Sequence, residues 1–267
     1  MDPDIERLFD ALWADYVRTG PHAEAIRGLL GGDAVRNDHV AFRGLALPGY
    51  DVDALSAPFR ALGYRSGDTY RFAEKKLFAR HLEPEDPRRP KVFVSELLVD
   101  RLSEPAQAIL RRMADEGRDQ LPEDRPLCLA GRPWSCTGAD YDRLLEESEY
   151  AAWVAAFGFR VNHFTVAVHH LPEYPDLASV NRTLRAAGYA LNTAGGEIKG
   201  SPAIGLEQSS TLAGPVEVEL DDGPRTLPGV YYEFALRHPV GSDGSELYPG
   251  FVTGNADRIF ESTDARR

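Results

Sequence analysis

Cysteine is scarce in this chain, whose 267 residues include only two, Cys128 and Cys136. Two cysteines exclude a disulfide-rich secreted scaffold, and no further pair of ligands stands near them to complete a structural zinc site. We therefore expect two unpaired thiols, with a single disulfide between them as the alternative. Free thiols are typical of reducing compartments, so the sequence predicts a cytoplasmic protein.

Long apolar runs are absent, and basic residues are outnumbered. No segment approaches the roughly 18 consecutive apolar residues of a transmembrane helix, and the acidic, polar residues 1–7 are unlike a signal peptide. Lysine and arginine total 30 against 42 aspartates and glutamates, which gives a formal net charge of -12. This charge argues against nucleic acid or an anionic membrane as a partner. A site for an acidic small molecule would need particular arginines close by.

What the chain does contain is a repeated pattern with one histidine in each copy. Residues 36–42 (RNDHVAF) place His39 at the same position that His163 has in residues 160–166 (RVNHFTV). At nearly the same interval downstream, FRALGY at 59–64 matches LRAAGY at 184–189. Two related modules that each carry a histidine at one position predict a metal site between them. The alternative is that both histidines are hydrogen-bonded core residues.

The periodicity of the hydrophobic residues predicts an α+β fold made of two βαβββ-type modules. This module pattern resembles the vicinal-oxygen-chelate superfamily, in which paired modules form a curved mixed sheet around a metal. We expect a single catalytic domain, residues 1–267. It comprises a helical N-terminus at about 3–31, a first module at about 36–100, a connecting segment with further helices at about 101–157 and a second module at about 158–237. In the second module we expect a first strand at 159–168 and a helix at 176–187. Four further strands are expected near 189–192, 205–212, 215–220 and 229–237.

Metal ligands in such modules come from the first and last strands. His39 and His163 lie on the predicted first strands, and Glu233 lies on the last strand of the second module. A carboxylate among tyrosine, phenylalanine and leucine must be paired or bound to a metal, with an ion pair to Arg237 or to another arginine as the alternative. Two histidines and one carboxylate that leave positions open suit non-haem Fe(II) and oxygen chemistry. Glu96, on the last strand of the first module, is expected near the cavity, where it could orient a ligand histidine without binding the metal.

Two arginines lie four residues after predicted ligands and therefore on the same strand faces. Arg43 follows His39 and Arg237 follows Glu233, each about 13 Å further along its strand. A buried arginine is costly unless it meets an anion, so both are candidates to bind a substrate carboxylate. The alternative for Arg43 is an internal ion pair, with Glu96 as one candidate partner. A polar run at 207–211 predicts either an edge strand or hydroxyls that line a wet cavity, with Ser209 as a substrate-binding candidate.

Several stretches together resemble the 2-oxoadipate dioxygenase/decarboxylases, also called D-2-hydroxyglutarate synthases. They are DHVAFR at 38–43, FVSEL at 93–97, VNHFT at 161–165, EQSST at 207–211, YEF at 232–234 and ADRIFEST at 256–263. The resemblance implies that His39, His163 and Glu233 hold Fe(II) and that Arg43 binds the substrate carboxylate. It also implies that Val252 and Thr253 contact the metal-chelating end of the substrate.

For function, the resemblance implies oxidative decarboxylation of a 2-oxo dicarboxylic acid, with O2 as co-substrate and a 2-hydroxy acid one carbon shorter as product. The partners would be a small-molecule 2-oxo acid and O2, and another divalent metal could replace Fe(II) after purification. Two alternatives stay open. One is another metal-dependent enzyme on this scaffold, such as an extradiol ring-cleaving dioxygenase or an isomerase. The other is a non-catalytic binding protein. The oligomeric state stays open as well.

Overall fold

The computed structural model describes residues 3–121, 125–240 and 246–264. Its α-helices are α1 Pro3–Thr19, α2 Ala23–Leu29, α3 Val52–Ala61, α4 Glu104–Arg118, α5 Gly138–Leu145, α6 Glu149–Phe157, α7 Leu177–Ala186 and α8 Thr253–Ile259. Its strands are β1 Asn37–Leu45, β2 Arg65–Phe72, β3 Leu77–Glu83, β4 Lys91–Leu97, β5 Val161–Ala167, β6 Lys199–Ser201, β7 Leu206–Ser210, β8 Pro215–Leu220, β9 Gly223–Pro228, β10 Tyr231–Arg237, β11 Pro239–Val240 and β12 Glu246–Leu247.

Eight of these strands form one mixed, curled sheet in the order β2-β3-β4-β1-β5-β10-β7-β6. The antiparallel pair β1–β5 lies at its centre. On either side the same pattern repeats, because β1 is parallel to β4 and β5 is parallel to β10, and antiparallel strands follow outward. Each module therefore contributes one half of the sheet, and the α+β fold class expected from the sequence is confirmed.

The repeated FRALGY and LRAAGY stretches end the crossover helices of the two halves in the same way. Gly63 and Gly188 have φ values of 88° and 89°, a left-handed conformation that glycine adopts without a steric cost. In each copy the following tyrosine donates its backbone N–H to a carbonyl five residues earlier, from Tyr64 to Phe59 and from Tyr189 to Leu184. The repeat thus has a local structural role that is separate from that of the histidines.

Helices cover both faces of the sheet. The outer face carries α1, α3 and α7, and the aromatic ring of Phe164 packs 5.1 Å from the rings of Trp13 and Tyr16 on α1. The concave face is closed by α6 and by the segment from 246 to 264, in which Phe251 and Phe260 pack on residues of the sheet. Because strand side chains alternate between faces, His163 and Thr165, which flank Phe164 in sequence, point to the concave face.

Two expected strands of the second module differ in the structure. The prediction of a strand near 189–192 is wrong. Leu191 makes only an isolated bridge to Thr211, and β6 forms the edge of the large sheet instead. The segment 215–220 is a strand, but it pairs with β9 in a hairpin outside the large sheet. Alternation of polar and apolar residues predicts a half-buried strand without saying which sheet it joins.

The two cysteines are free and buried, as expected. Burial raises the pKa of each thiol, Cys128 and Cys136, to about 12. Across the ranges given above, none of the helices combines the length and the apolar character needed to span a bilayer.

Candidate metal centre

Three neighbouring strands of the sheet bring His39, His163 and Glu233 together. In the register of β1, β5 and β10, Thr165 lies opposite His39 on one side and opposite Glu233 on the other. Potential ligand atoms of the two histidines and the glutamate all lie within 4.8 Å of one another. A carboxylate oxygen of Glu233 is 3.7 Å from His39 Nε2, and the other is 3.2 Å from His163 Nε2. The predicted trio is therefore one cluster.

His39 is held by a buried carboxylate that is itself held by an arginine. Its Nδ1 lies 2.8 Å from Asp38 Oδ1, and Arg237 donates to both oxygens of Asp38 at 2.6 and 2.9 Å. Burial alone would raise the pKa of Asp38, but Arg237 and the hydrogen bond from His39 hold it well below its usual range. An ionised Asp38 requires a proton on Nδ1 of His39. The lone pair of Nε2 is then directed into the cluster, where the Thr165 hydroxyl lies 3.0 Å away.

The other two members of the cluster are oriented by amides. His163 Nδ1 lies 3.1 Å from Asn162 Oδ1, which precedes it as Asp38 precedes His39. Gln208 donates its amide to Glu233 Oε1 at 2.6 Å. Burial lowers the pKa of His163 well below its usual value, and His39 and Arg43 lower it further. Burial raises the pKa of Glu233, although His39 and the Gln208 hydrogen bond oppose that rise.

This donor set fits a divalent first-row metal ion. Two neutral imidazole nitrogens and one carboxylate oxygen are ligands that such ions accept, and three protein ligands leave coordination positions open. The three residues are buried, with exposures of 2% for His39, 4% for His163 and 1% for Glu233. A cation here would compensate the desolvated carboxylate, whose raised pKa reports the cost of burying its charge. The hydrogen bonds at the far nitrogens of both rings are typical of metal-bound histidines.

Arg43 lies on the concave face beyond His39, and it is 1% exposed. Its Nη1 donates to Glu149 Oε2 at 3.0 Å, and its Nη2 donates to Thr263 Oγ1 at 2.8 Å. The rings of Tyr150 and Trp153 lie 4.8 and 5.2 Å from the guanidinium carbon. The sequence allows an internal ion pair for this arginine with Glu96 as one candidate partner, and in the structure the ion pair is with Glu149.

Three other predicted site residues lie elsewhere. Arg237 was expected to bind a substrate carboxylate. In the structure its donors are instead engaged by Asp38 and by the backbone carbonyls of residues 248 and 250. Glu96 is on the opposite face of β4 from the cavity, where it accepts a hydrogen bond from the backbone of Val52 at 2.7 Å. Ser209 faces α7 and donates to Asn181 at 2.8 Å.

The expected contacts of Val252 and Thr253 with a substrate stay predictions. Val252 is half-buried and Thr253 is exposed at the start of α8. Their neighbour Phe251 is the residue that lies against the cluster, with its ring 4.8 Å from that of His39 in an edge-on arrangement. Aromatic packing by Phe251 therefore covers one side of His39.

Sequence reasoning also missed residues that shape the centre. Asp38 and Asn162 stand at equivalent positions in the two repeats, so the repeat itself carried a signal for them. Gln208 lay in the polar run, and only the strand phase distinguishes it from Ser209. Glu149 had no signal, because α6 belongs to the connecting segment and reaches the site only through the tertiary fold.

The fold and the donor set define a class of protein: two paired modules around a buried His-His-Glu cluster that could hold a metal ion. The sequence pattern of the 2-oxoadipate dioxygenase/decarboxylase family matches residues 14–249. The chain belongs to this family, whose members are oxidoreductases, and it is therefore an enzyme.

Individual relatives support this assignment. The chain is 34% identical over 250 residues to the chloroplastic 2-oxoadipate dioxygenase/decarboxylase of Arabidopsis thaliana, and the match covers 85% of this chain and 67% of the relative. The hydroxyglutarate synthase of Oryza sativa, crystallised with 2-oxoadipate, has a TM-score of 0.90 and 31% identity over 98% of this chain and 92% of that one. A Shewanella frigidimarina protein described as a hydrolase has a TM-score of 0.87 and 43% identity over 95% of this chain and 99% of that one.

Proposed function

We propose that this chain is a non-haem Fe(II)-dependent dioxygenase that oxidatively decarboxylates a 2-oxo dicarboxylic acid such as 2-oxoadipate. The products are CO2 and the 2-hydroxy acid one carbon shorter, and O2 is the oxidant. The observation that carries the proposal is the buried cluster of His39, His163 and Glu233 in a chain of this family. The Oryza sativa relative binds 2-oxoadipate in its crystal structure, which supports the class of substrate.

The protein's own part in this chemistry is to hold and enclose the reacting groups. When bound, Fe(II) would polarise a chelating 2-oxo acid and activate O2 at the positions that three protein ligands leave open. Asp38 keeps Nδ1 of His39 protonated, so Nε2 stays available as a ligand. Phe251 covers His39, and the low exposure of the ligands excludes bulk water from the reaction.

Arg43 is the group that would bind the far carboxylate of the substrate. Glu149 and Thr263 take hydrogen bonds from its two terminal nitrogens. Among the residues the structure describes, its buried Nε has no hydrogen-bond partner. The edge formed by Nε and Nη2 therefore retains donors for a carboxylate, in the side-on geometry that guanidinium groups favour. A ligand that reaches from the metal to this edge needs an acidic group at each end.

The experiment is anaerobic loading with Fe(II), followed by O2 and a panel of 2-oxo acids, with O2 uptake and product mass as readouts. We expect turnover of 2-oxoadipate to 2-hydroxyglutarate. His163→Ala should lose both bound metal and turnover, while the control His170→Ala, at an exposed histidine, should keep both. Turnover of a catechol but of none of the 2-oxo acids would favour a ring-cleaving dioxygenase and refute the proposal.

The remaining expectations about partners and location also stay proposals. The net charge of -12 supports a small-molecule partner rather than nucleic acid or a membrane surface. The two free thiols support a cytoplasmic location. The Arabidopsis thaliana relative, by contrast, is named as a chloroplastic protein.

A further inference from the structure

The register of the sheet gives a direction from the metal centre to Arg43. His39, Thr165 and Glu233 form a row across β1, β5 and β10. Arg43 follows His39 on β1, so the substrate would extend from this row toward the C-terminal end of β1. Because β5 and β10 run antiparallel to β1, the same direction on those strands leads toward lower residue numbers.

Tyr231 lies in the next row in that direction. Ala41, His163 and Tyr231 lie opposite one another, two residues along each strand from the metal row. Tyr231 shares the concave face with Glu233, since side chains alternate along β10. Its ring stacks on that of His163 with centroids 4.5 Å apart. Tyr231 thus stands beside the candidate ligand His163 and is displaced toward Arg43 from the row of His39, Thr165 and Glu233.

The hydroxyl of Tyr231 is buried and unpaired. The residue is 1% exposed, and within the described parts of the chain its hydroxyl makes no hydrogen bond. The Nε of Arg43 is in the same state. Buried donors without partners are rare in folded proteins, and each calls for an explanation such as a ligand. The Tyr231 hydroxyl and Arg43 Nε lie on one enclosed face, and both residues are displaced in the same direction from the row of His39, Thr165 and Glu233. Their positions indicate one ligand group that accepts a hydrogen bond from both.

We propose that the Tyr231 hydroxyl donates a hydrogen bond to the far carboxylate of the substrate, beside Nε of Arg43, and so determines specificity for dicarboxylic 2-oxo acids. This inference rests on the proposed function. Glu149 already balances the charge of Arg43. A second carboxylate at this guanidinium therefore needs an additional donor, and an uncharged phenol supplies one without adding another buried ion.

The next residue in the chain is a matched control. Tyr232 is also buried, and its hydroxyl likewise lacks a partner in the described ranges. Its side chain lies on the outer face of β10, where its ring is 6.0 Å from that of Trp13. Replacing either tyrosine by phenylalanine removes the same atom and leaves the ring. Only the Tyr231→Phe change alters the face that holds the metal centre.

The test compares Tyr231→Phe and Tyr232→Phe with the unchanged enzyme. Metal content is measured first, and then anaerobic binding of 2-oxoadipate and of 2-oxohexanoate, which has the same chain length but no second carboxylate, by calorimetry. We expect Tyr231→Phe to keep its metal and to bind 2-oxoadipate about ten-fold or more weakly, as expected for a lost hydrogen bond to a charged group. Its affinity for 2-oxohexanoate should not change. Tyr232→Phe should bind both acids as the unchanged enzyme does.

Each other outcome has a definite meaning. Equal weakening of both acids, or loss of metal in Tyr231→Phe, would overturn the inference, because the hydroxyl would then act at the metal end or in the fold. Unchanged binding of 2-oxoadipate by Tyr231→Phe would overturn it as well. If the unchanged enzyme binds neither acid, the proposed function itself fails, and that result is distinct from a failure that concerns Tyr231 alone.

Discussion

The ion pair between Arg43 and Glu149 allows the structural and substrate-binding roles of Arg43 to be separated. Both side chains are buried, at 1% and 7% exposure, and their charged atoms are 3.0 Å apart. Arg43→Met removes one charge, keeps most of the side-chain volume and leaves Glu149 buried without its cation. Breaking a buried pair in this way costs about 3–5 kcal/mol, far more than the loss of a surface ion pair.

The double variant Arg43→Met with Glu149→Gln removes both charges. Replacing both members of a buried pair is often neutral in stability, so most of that loss should be recovered. Urea unfolding of the two single variants and the double variant measures the coupling between the sites. In the double variant kcat/KM for 2-oxoadipate should still be lower by about two orders of magnitude or more, because no guanidinium remains to bind the carboxylate.

Two results would contradict this reasoning. Arg43→Met as stable as the unchanged protein would mean that the pair with Glu149 is not formed or is solvated. A double variant with normal stability, normal metal content and undiminished kcat/KM for 2-oxoadipate would mean that the carboxylate is bound elsewhere. Arg43→Lys gives a further check, since lysine keeps the charge but lacks the planar fork and should restore activity only in part.

Three further predictions concern the centre and the thiols. Asp38→Asn should weaken metal binding by about 10–100-fold, measured by competition with a chelator, because the acceptor that orients His39 loses its charge. The pKa of Glu233 is raised in the metal-free protein, so its stabilising contribution there is full at low pH and is lost as the pH rises through that pKa. Metal binding requires the carboxylate, so the increase in Tm caused by metal should grow as the pH rises through the same range, in thermal melts with and without metal. Cys128 and Cys136, with pKa values of about 12, should react with a thiol reagent at neutral pH only after unfolding, as absorbance assays would show.

The sequence predicted the two histidines of the candidate metal centre because duplication preserved their positions. His39 and His163 stand at the same place in two copies of a strand, and the two strands become the central pair of the sheet. Glu233 was found by a different argument, since a carboxylate within an apolar strand needs a cation or a donor. Both arguments depend on local sequence, which is why they succeed without a structure.

Strand phase limited what the sequence could assign beyond the ligands. A shift of one residue moves a side chain to the other face of a sheet. In the polar run of β7 every position is hydrophilic, so nothing in the pattern distinguishes Ser209, which faces α7, from its neighbours that face the centre. The prediction that Glu96 lies near the cavity is wrong for the same reason. Ser95 lies beside Arg43 in the register, so Glu96 points to the opposite face of the sheet.

The groups around Arg43 could not be predicted from local pattern at all. Glu149 comes from a helix in the connecting segment and Thr263 from the end of the chain, and they meet on one guanidinium. Contacts between residues 106 and 220 positions apart in sequence are consequences of the whole fold. Only the buried arginine itself, on a strand face shared with a ligand, indicated that an anion should be found there.

The most direct test of the central claim is turnover of 2-oxoadipate by the Fe(II)-loaded enzyme under ¹⁸O2, with mass spectrometry of the product. A dioxygenase that oxidatively decarboxylates its substrate places both atoms of O2 in one product molecule, one in the new carboxylate and one in the hydroxyl group. The account predicts doubly labelled 2-hydroxyglutarate, with one CO2 released for each O2 consumed. Unlabelled or singly labelled product would contradict it, once a control shows that these oxygen atoms do not exchange with water.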